Sequence, residues 1–119
     1  MSNLSFDVNM LRQFTGTEGY CKLTPSVLLT DGALFLAEGT QCFWLMTAIA
    51  SYLSAKPNDY FVVAKLKTAN GRAILKLEDG NDNLVACQYI EFTDFPLAEI
   101  TLYCCFDGTY WVVMLTSEY

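Results

Sequence analysis

Apolar runs of strand length, separated by short turn-forming pairs, dominate the chain after residue 60. The runs over 60–68 and 72–78 flank Asn70-Gly71, a dipeptide typical of two-residue hairpin turns. Connections this short place sequential strands side by side, so the pattern predicts a five-stranded antiparallel meander. Its other three strands are predicted over 84–92, 100–106 and 110–116, with a turn at Asp107-Gly108 between the last two.

The first half of the chain carries shorter strand signals. A strand is predicted over 20–23, where Pro25 ends it. Apolar residues over 27–30 and 33–36 flank Asp31-Gly32, which predicts another tight hairpin because Asp-Gly accepts the positive φ angles of such a turn.

Between these strand groups, apolar residues over 41–54 recur at helical spacing, and Thr40 is a suitable N-cap. The apolar stripe is so wide that this helix is expected at the centre of the fold, wrapped by the sheet or by a second subunit. A short N-terminal helix is predicted over 7–14, capped by Ser5 or Asp7. The predicted fold class is α+β: an antiparallel meander of about five to seven strands packed on one central apolar helix, plus the N-terminal helix.

The amount of apolar material bears on how the chain associates. A chain of 119 residues fits one domain, and 53% hydrophobic residues supply a full core. With only 17% charged residues, apolar surface is left over once that core is filled. We therefore expect a single domain, residues 1–119, that forms a homodimer or a larger assembly.

Net charge narrows the class of partner. Seven basic and thirteen acidic residues give a net charge of −6, which opposes binding to duplex nucleic acid and to anionic membranes. The longest apolar stretch, over 42–53, is too short to span a bilayer, and residues 1–11 lack the pattern of a signal peptide. A cytoplasmic protein with a protein partner is expected.

The chain offers little for metal or nucleophilic chemistry. It has five cysteines, without a CxxC pair, and no histidine. Zinc sites combine several Cys and His ligands, and a catalytic thiol usually has an imidazole as its activator. Gly16 and Gly19 are not followed by the lysine of a phosphate-binding loop. No metal, cofactor or catalytic residue is predicted, and the cysteines are expected to be reduced and buried.

Several short motifs are similar to those of a known family. They are FTGTE over 14–18, LTDG over 29–32, WL and AIAS over 44–51, TDFPL over 93–97 and SEY over 117–119. In this order they resemble a family of small, uncharacterised bacterial and phage- or plasmid-borne domains of unknown function. The resemblance spans nearly the whole chain, and it implies no particular reaction because the family has none assigned.

The distribution of charge gives the most specific indication of a site. Five of the seven basic residues fall over 56–76, and eight of the thirteen acids lie from Glu78 onward. A two-residue turn at Asn70-Gly71 places Lys65 opposite Lys76, and such a like-charge pair destabilises a sheet. Either these cations keep an exposed edge soluble, or they meet a partner such as the acidic half of a second copy. The predicted interaction patch is Lys65, Lys67, Arg72 and Lys76, and the predicted acidic surface is Glu78, Asp79, Asp82, Glu91, Asp94 and Glu99.

These observations favour a non-enzymatic protein that acts by protein–protein interaction. An accessory or inhibitory role for a mobile element is the most concrete form of this hypothesis, since an acidic surface can imitate nucleic acid towards a basic partner. The alternative is a small-ligand-binding or catalytic domain with an aromatic and carboxylate-lined pocket. Tyr20, Trp44 and Tyr52 would line that pocket, and Asp94 or Glu38 would supply its polarity.

Overall fold

The computed structural model describes residues 11, 13–14, 19–55 and 61–119, and they form two layers. Seven strands make a single open sheet, and two helices pack against one of its faces. All described strand pairs are antiparallel except β2 with β7, which is parallel. The predicted α+β class with a largely antiparallel sheet is confirmed.

The helices lie between the second and third strands in the chain. The strands are β1 (Tyr20–Thr24), β2 (Val27–Thr30), β3 (Phe61–Ala69), β4 (Arg72–Asp79), β5 (Leu84–Ile90), β6 (Glu99–Phe106) and β7 (Trp111–Leu115); the helices are α1 (Asp31–Thr40) and α2 (Phe43–Leu53). A single 3-10 turn, Thr116–Glu118, follows β7.

The strand order combines sequential pairs with two pairs that are not sequential, β2 with β7 and β6 with β3. Across the sheet the order is β1-β2-β7-β6-β3-β4-β5, so β6 pairs with β3 and not with β5. The connection over 91–98 crosses the turn end of the β3–β4 hairpin: the Thr93 amide donates to the Gly71 carbonyl (2.7 Å) and the Thr68 amide donates to the Ala98 carbonyl (2.8 Å). The predicted sequential order holds for β3–β4–β5 and for β6–β7.

The predicted hairpin around Asp31-Gly32 is wrong, because these residues begin α1. Thr30 is the N-cap in an extended conformation, and its hydroxyl accepts a hydrogen bond from the Ala33 amide at 3.2 Å. That bond satisfies one of the amides that a helix start leaves unpaired, and Asp31 adds a negative charge to the first turn. The apolar run over 33–36 therefore continues a helix instead of forming a strand.

The predicted helix over 41–54 is present as α2, with a different start. Thr40 ends α1, and its hydroxyl donates to the Leu36 carbonyl (2.8 Å) instead of capping α2. Gln41 has a left-handed backbone (φ 56°), which stops α1, and Cys42 becomes the N-cap of α2.

The core lies between the two helices and the sheet face they cover. From α2, Leu45, Met46, Ile49 and Leu53 are fully buried, and α1 adds Leu36 and Ala37. The facing strand residues alternate with residues on the opposite face, as the pleat requires. They include Leu29, Val62, Leu66, Leu75, Leu77, Leu102 and Val113.

The predicted N-terminal helix over 7–14 lies outside the described residues, apart from Leu11, Gln13 and Phe14. Leu11 belongs to the core, and the Phe14 ring lies 5.2 Å from the Phe35 ring. Among the described residues, no helix is both long enough and apolar enough to cross a bilayer.

The predicted turn at Asn70-Gly71 is confirmed, since both residues have positive φ angles (55° and 76°) and join β3 directly to β4. Gly71→Ala would force a Cβ into this left-handed conformation. We expect the free energy of unfolding to fall by about 1–2 kcal/mol in urea titrations. Gly80→Ala is the matched control, because Gly80 has no positive φ and its added Cβ would meet Phe61 at an ordinary 3.6 Å. Equal losses for the two variants would contradict this interpretation of the turn.

Candidate interaction surface

Both helices pack on the same side of the sheet, and we call the other side the open face. Along β3 and β4 its apolar residues are partly buried, while its charged residues reach solvent. Its members are Phe61, Val63, Lys65 and Lys67 of β3, Arg72, Ile74, Lys76 and Glu78 of β4, Leu84, Cys87 and Tyr89 of β5, and Glu99, Thr101, Tyr103 and Cys105 of β6.

All four cations of the predicted interaction patch lie on the open face. Lys65 is directly opposite Lys76, as the turn register predicts, and Arg72 and Lys67 follow towards the turn. The structure also shows what relieves the like-charge pair. The Lys65 ammonium binds the Glu78 carboxylate at 2.9 Å, and that hydrogen bond, with the charge of Glu78, raises the pKa of Lys65.

Lys67 lies opposite an acidic residue that the sequence pattern did not connect with it. Because β6 pairs with β3, Glu99 is the cross-strand neighbour of Lys67. The two groups are not within ion-pair distance, and Lys65–Glu78 is the one ion pair found among the described residues. Lys67, Arg72 and Lys76 are exposed and available to a partner.

A groove of about 680 Å³ opens on this face at the turn end of the β3–β4 hairpin. Two cations, Lys67 and Arg72, stand beside the aromatic ring of Tyr89, which is 74% exposed. Ile74 supplies an apolar floor and Glu91 a carboxylate at the rim. The groove therefore combines positive charge with an exposed aromatic side chain, a combination enriched at protein-binding sites.

The six residues of the predicted acidic surface do not form a surface apart from the cations. Glu78 is bonded to Lys65, Glu99 faces Lys67, and Glu91 lines the groove. Asp79 has a structural role in the turn between β4 and β5, where its carboxylate accepts the amides of Asn81 (2.8 Å) and Asn83 (3.0 Å). Asp82 lies in the same turn, and Asp94 is exposed in the connection to β6.

Tyr20, Trp44 and Tyr52, the residues of the predicted pocket, are not brought together in the groove. Tyr20 begins β1 at one edge of the sheet, while the Tyr52 hydroxyl donates to the Gln88 amide oxygen on β5, at the other edge (3.0 Å). Trp44 lies on α2 with 36% of its surface exposed, and none of the three lines the groove. The aromatic side chains lie apart because α2 crosses the sheet between its two edges.

An aromatic cluster on the open face was not predicted. The rings of Phe61 and Tyr103 lie 5.3 Å apart, and Tyr119 completes the group at 5.4 Å and 5.2 Å from them. Phe61 and Tyr103 meet because β6 lies beside β3, which local sequence signals do not reveal. The cluster extends the apolar part of the open face towards the C-terminal residue.

Cys42 and Cys104 are buried as expected, whereas Cys21, Cys87 and Cys105 are only half-buried. All five cysteines are free, and burial raises the pKa of Cys42, Cys104 and Cys105. Within the described residues, no three potential ligands among Cys, Asp and Glu come close enough to hold a metal ion.

A carboxylate near the C-terminus binds the start of α1. Glu118 accepts hydrogen bonds from the Thr30 hydroxyl (2.6 Å), the Gly32 amide (3.1 Å) and the Leu115 amide (2.9 Å). It thus stabilises the N-terminus of α1, where a negative charge is favoured. Gly32 has to lack a side chain, since a Cβ there would come within 2.5 Å of the Glu118 carboxylate. Residues of the LTDG and SEY motifs therefore bind one another.

Together, these features define a small α+β domain whose single sheet is covered by helices on one side and presents cations and aromatic rings on the other. The chain belongs to a family of unknown function, DUF6876, whose model matches residues 7–119. The predicted resemblance to a family without an assigned reaction is confirmed at that level. The crystal structure of a protein of unknown function from Enterococcus faecalis has a similar fold: the TM-score is 0.55 at 13% identity, over 82% of this chain and 93% of that one. No curated protein matches the chain significantly.

Removal of the Glu118 carboxylate tests its role at α1. We expect Glu118→Ala to lower the free energy of unfolding by about 1–3 kcal/mol, because it leaves donors of Thr30 and Gly32 without their acceptor. Glu38→Ala, an exposed carboxylate on α1, is the matched control and should change stability by less than about 0.5 kcal/mol. Urea titration of both variants measures the difference. A loss for Glu118→Ala no larger than that of the control would refute the role.

Acid titration tests the role of Asp79. Hydrogen bonds from the Asn83 and Asn81 amides lower the pKa of Asp79 below its ordinary 3.8. The ionised carboxylate therefore stabilises the fold above pH 3.8, and this contribution is lost as the pH falls through the lowered value. The stability difference between the wild type and Asp79→Ala should be constant near neutral pH and shrink below pH 3.8. A difference that grows on acidification, measured by urea titration at each pH, would contradict the assignment.

Proposed function

We propose that this protein is a non-enzymatic interaction domain whose open face binds another protein. The groove carries the proposal, because Lys67 and Arg72 stand there beside the exposed ring of Tyr89 and the partly buried Ile74. Exposed aromatic and Arg side chains are enriched among the residues that dominate binding energy at interfaces. The partner is a protein with an acidic segment that also carries apolar side chains.

Charge supports an acidic partner. The chain has a net charge of −6, yet four of its seven basic residues lie together on the β3–β4 part of the open face. Of these four, Lys65 has an ion-pair partner among the described residues, while Lys67, Arg72 and Lys76 are exposed. A carboxylate-bearing partner would meet these three exposed cations with groups of opposite charge.

The same arrangement argues against nucleic-acid mimicry as the main activity. A mimic presents carboxylates without interspersed cations, whereas Glu78, Glu91 and Glu99 lie among the cations of the open face. An accessory or inhibitory role for a mobile element, exercised in the cytoplasm, remains part of the proposal. Its mechanism would be the capture of an acidic protein segment by the groove.

A small-ligand receptor is less well supported. Ligand pockets enclose most of the ligand and converge several polar groups on it. This groove is open to solvent, and its polar side chains are those of Lys67, Arg72, Tyr89 and Glu91, which lie on β3, on β4, on β5 and just after β5. An extended peptide segment matches that shape better than a compact molecule does.

Charge reversal in the groove tests the proposal. A tagged wild-type protein and a Lys67→Glu/Arg72→Glu variant are used to isolate partners from the native host, and each candidate is then purified and titrated against both. We expect a stoichiometric partner whose Kd rises at least about tenfold with the variant. Its binding to the wild type should weaken as salt is added, because the contact pairs opposite charges.

The control for that experiment is Lys22→Glu, which changes a cation on β1 that lies 5.7 Å from the Tyr110 ring. It should bind the partner like the wild type. A partner that binds the groove variant unchanged, or one that loses affinity equally with Lys22→Glu, would overturn the assignment of the groove. Copurification of a small molecule that only the wild type retains would favour the receptor instead.

A further inference from the structure

One edge of the sheet lacks the charged residues and proline that often prevent strands from pairing with other chains. β5 is the last strand on its side, and its seven residues, Leu84–Ile90, include no charge and no proline. Edge strands usually carry lysine, proline or a short length as protection. The opposite edge shows this protection, since β1 has five residues, contains Lys22 and is followed by Pro25.

The peptide groups of β5 that are free to pair can be identified from the neighbouring strand. The Asp79 amide donates to the Asn83 carbonyl, so the odd-numbered residues of β4 direct their peptide groups towards β5. Leu75, the partner of Gln88, therefore forms a hydrogen-bonded pair with it. Cys87 and Tyr89, on either side of Gln88, direct their amides and carbonyls outwards to the free edge.

Exposed apolar side chains collect along the same edge. Leu84 is 59% exposed, Tyr89 74% and Phe92 85%, so three of the seven large hydrophobic residues exposed in the described part of the chain lie on β5 or just after it. A bulge in β5 shifts the register by one residue, so that Leu84 lies opposite Glu78. The bulge turns Leu84 onto the open face, where Cys87 and Tyr89 also lie.

These residues are placed symmetrically. On β4 the partners of Leu84, Cys87 and Tyr89 are Glu78, Lys76 and Ile74, which are evenly spaced by two residues. A two-fold axis perpendicular to the sheet, passing between the Cys87 residues of two copies, would therefore place Leu84 of each copy beside Tyr89 of the other. The outward amides and carbonyls of Cys87 and Tyr89 would meet acceptors and donors of the second strand at the same time.

We propose that two copies of the chain pair antiparallel along β5, with Cys87 facing Cys87 of the second copy, to form one continuous sheet. A second copy is favoured over a strand of another protein because Cys87, at the centre of the symmetric group, directs its own amide and carbonyl outwards. Two β5 strands centred on Cys87 can therefore donate hydrogen bonds to each other and accept them in return. No like charges meet over Leu84–Ile90, since the strand has none. The two open faces then lie on the same side of the sheet, with one groove on each copy. The inference goes beyond the proposed function and does not depend on it.

Analytical ultracentrifugation over a range of concentrations tests the pairing. We expect the wild type to approach 26.6 kDa, twice the 13.3 kDa of one chain. Leu84→Lys should raise the dimer Kd by about tenfold or more, because it puts a charge into the apolar contact with Tyr89 of the second copy. Tyr20→Lys at the β1 edge is the matched control, with 60% exposure against 59% for Leu84, and should not change the dimer Kd.

Oxidation tests the register. Opposed Cα atoms of a hydrogen-bonded antiparallel pair lie about 5.5 Å apart, within the range that a disulfide spans. With copper-phenanthroline as oxidant, two Cys87 thiols should therefore lose two protons and two electrons and form an intermolecular disulfide. Peptide mapping identifies the bond, and Cys87→Ser should remain a dimer in the ultracentrifuge without being cross-linked through this position.

Three results would overturn the inference: a monomeric wild type at every concentration, a dimer unaffected by Leu84→Lys, or a dimer cross-linked through Cys21 or Cys105 instead of Cys87. The dependence on salt concentration distinguishes dimerisation from the partner binding of the proposed function. Dimerisation of chains with a net charge of −6 should strengthen as salt screens their repulsion, whereas binding of an acidic partner in the groove should weaken. Leu84→Lys also leaves Lys67 and Arg72 in place, so partner binding can be measured in the monomeric variant.

Discussion

Burial of only one side of the sheet is the constraint on which the rest of this structure depends. α1 and α2 both lie in the connection between β2 and β3, and both pack on the same face. The strands must therefore alternate between residues that fill a helix-covered core and residues that meet water. β3 shows the alternation clearly: Val62, Ala64 and Leu66 are buried, while Lys65 and Lys67 lie on the open face. The cations lie on the open face because the alternation of the pleat assigns the neighbouring apolar residues to the buried face.

The placement of β6 between β7 and β3 then determines which charges meet. The β3–β4 hairpin places Lys65 opposite Lys76, which is an unfavourable like-charge pair. Glu78 relieves it from within the hairpin, and Glu99 reaches the neighbourhood of Lys67 only because β6 lies beside β3. The same strand order brings Tyr103 to Phe61 and allows Tyr119 to join them. The open face thus gains Glu99 and its aromatic cluster from the long-range pairing of β3 with β6.

The sequence predicted those features that depend on a few consecutive residues. Asn70-Gly71 sets the register of β3 and β4, and with it the position of every cation of the predicted interaction patch. Asp31-Gly32 carries a similar local signal and was misinterpreted, because a helix cap and a hairpin turn use the same residue types. The deciding contact is the Glu118 carboxylate on Thr30 and Gly32, from 88 and 86 residues away in the chain. Neither that contact nor the crossing of the hairpin by residues 91–98 leaves a periodic pattern, so the groove could not be assembled from sequence.

The structural roles of the motif residues also bear on where function lies. Thr30, Gly32 and Glu118 bind one another at the start of α1, and Asp79 holds the β4–β5 turn, so these polar groups are engaged in maintaining the fold. Polar groups engaged in this way can be exchanged for contacts with a partner only at a cost in stability. Lys67, Arg72 and Lys76 are under no such constraint among the described residues, since they are exposed and outside any ion pair found there. A partner can therefore be recognised on the open face without disturbing the contacts that hold the helices against the other side.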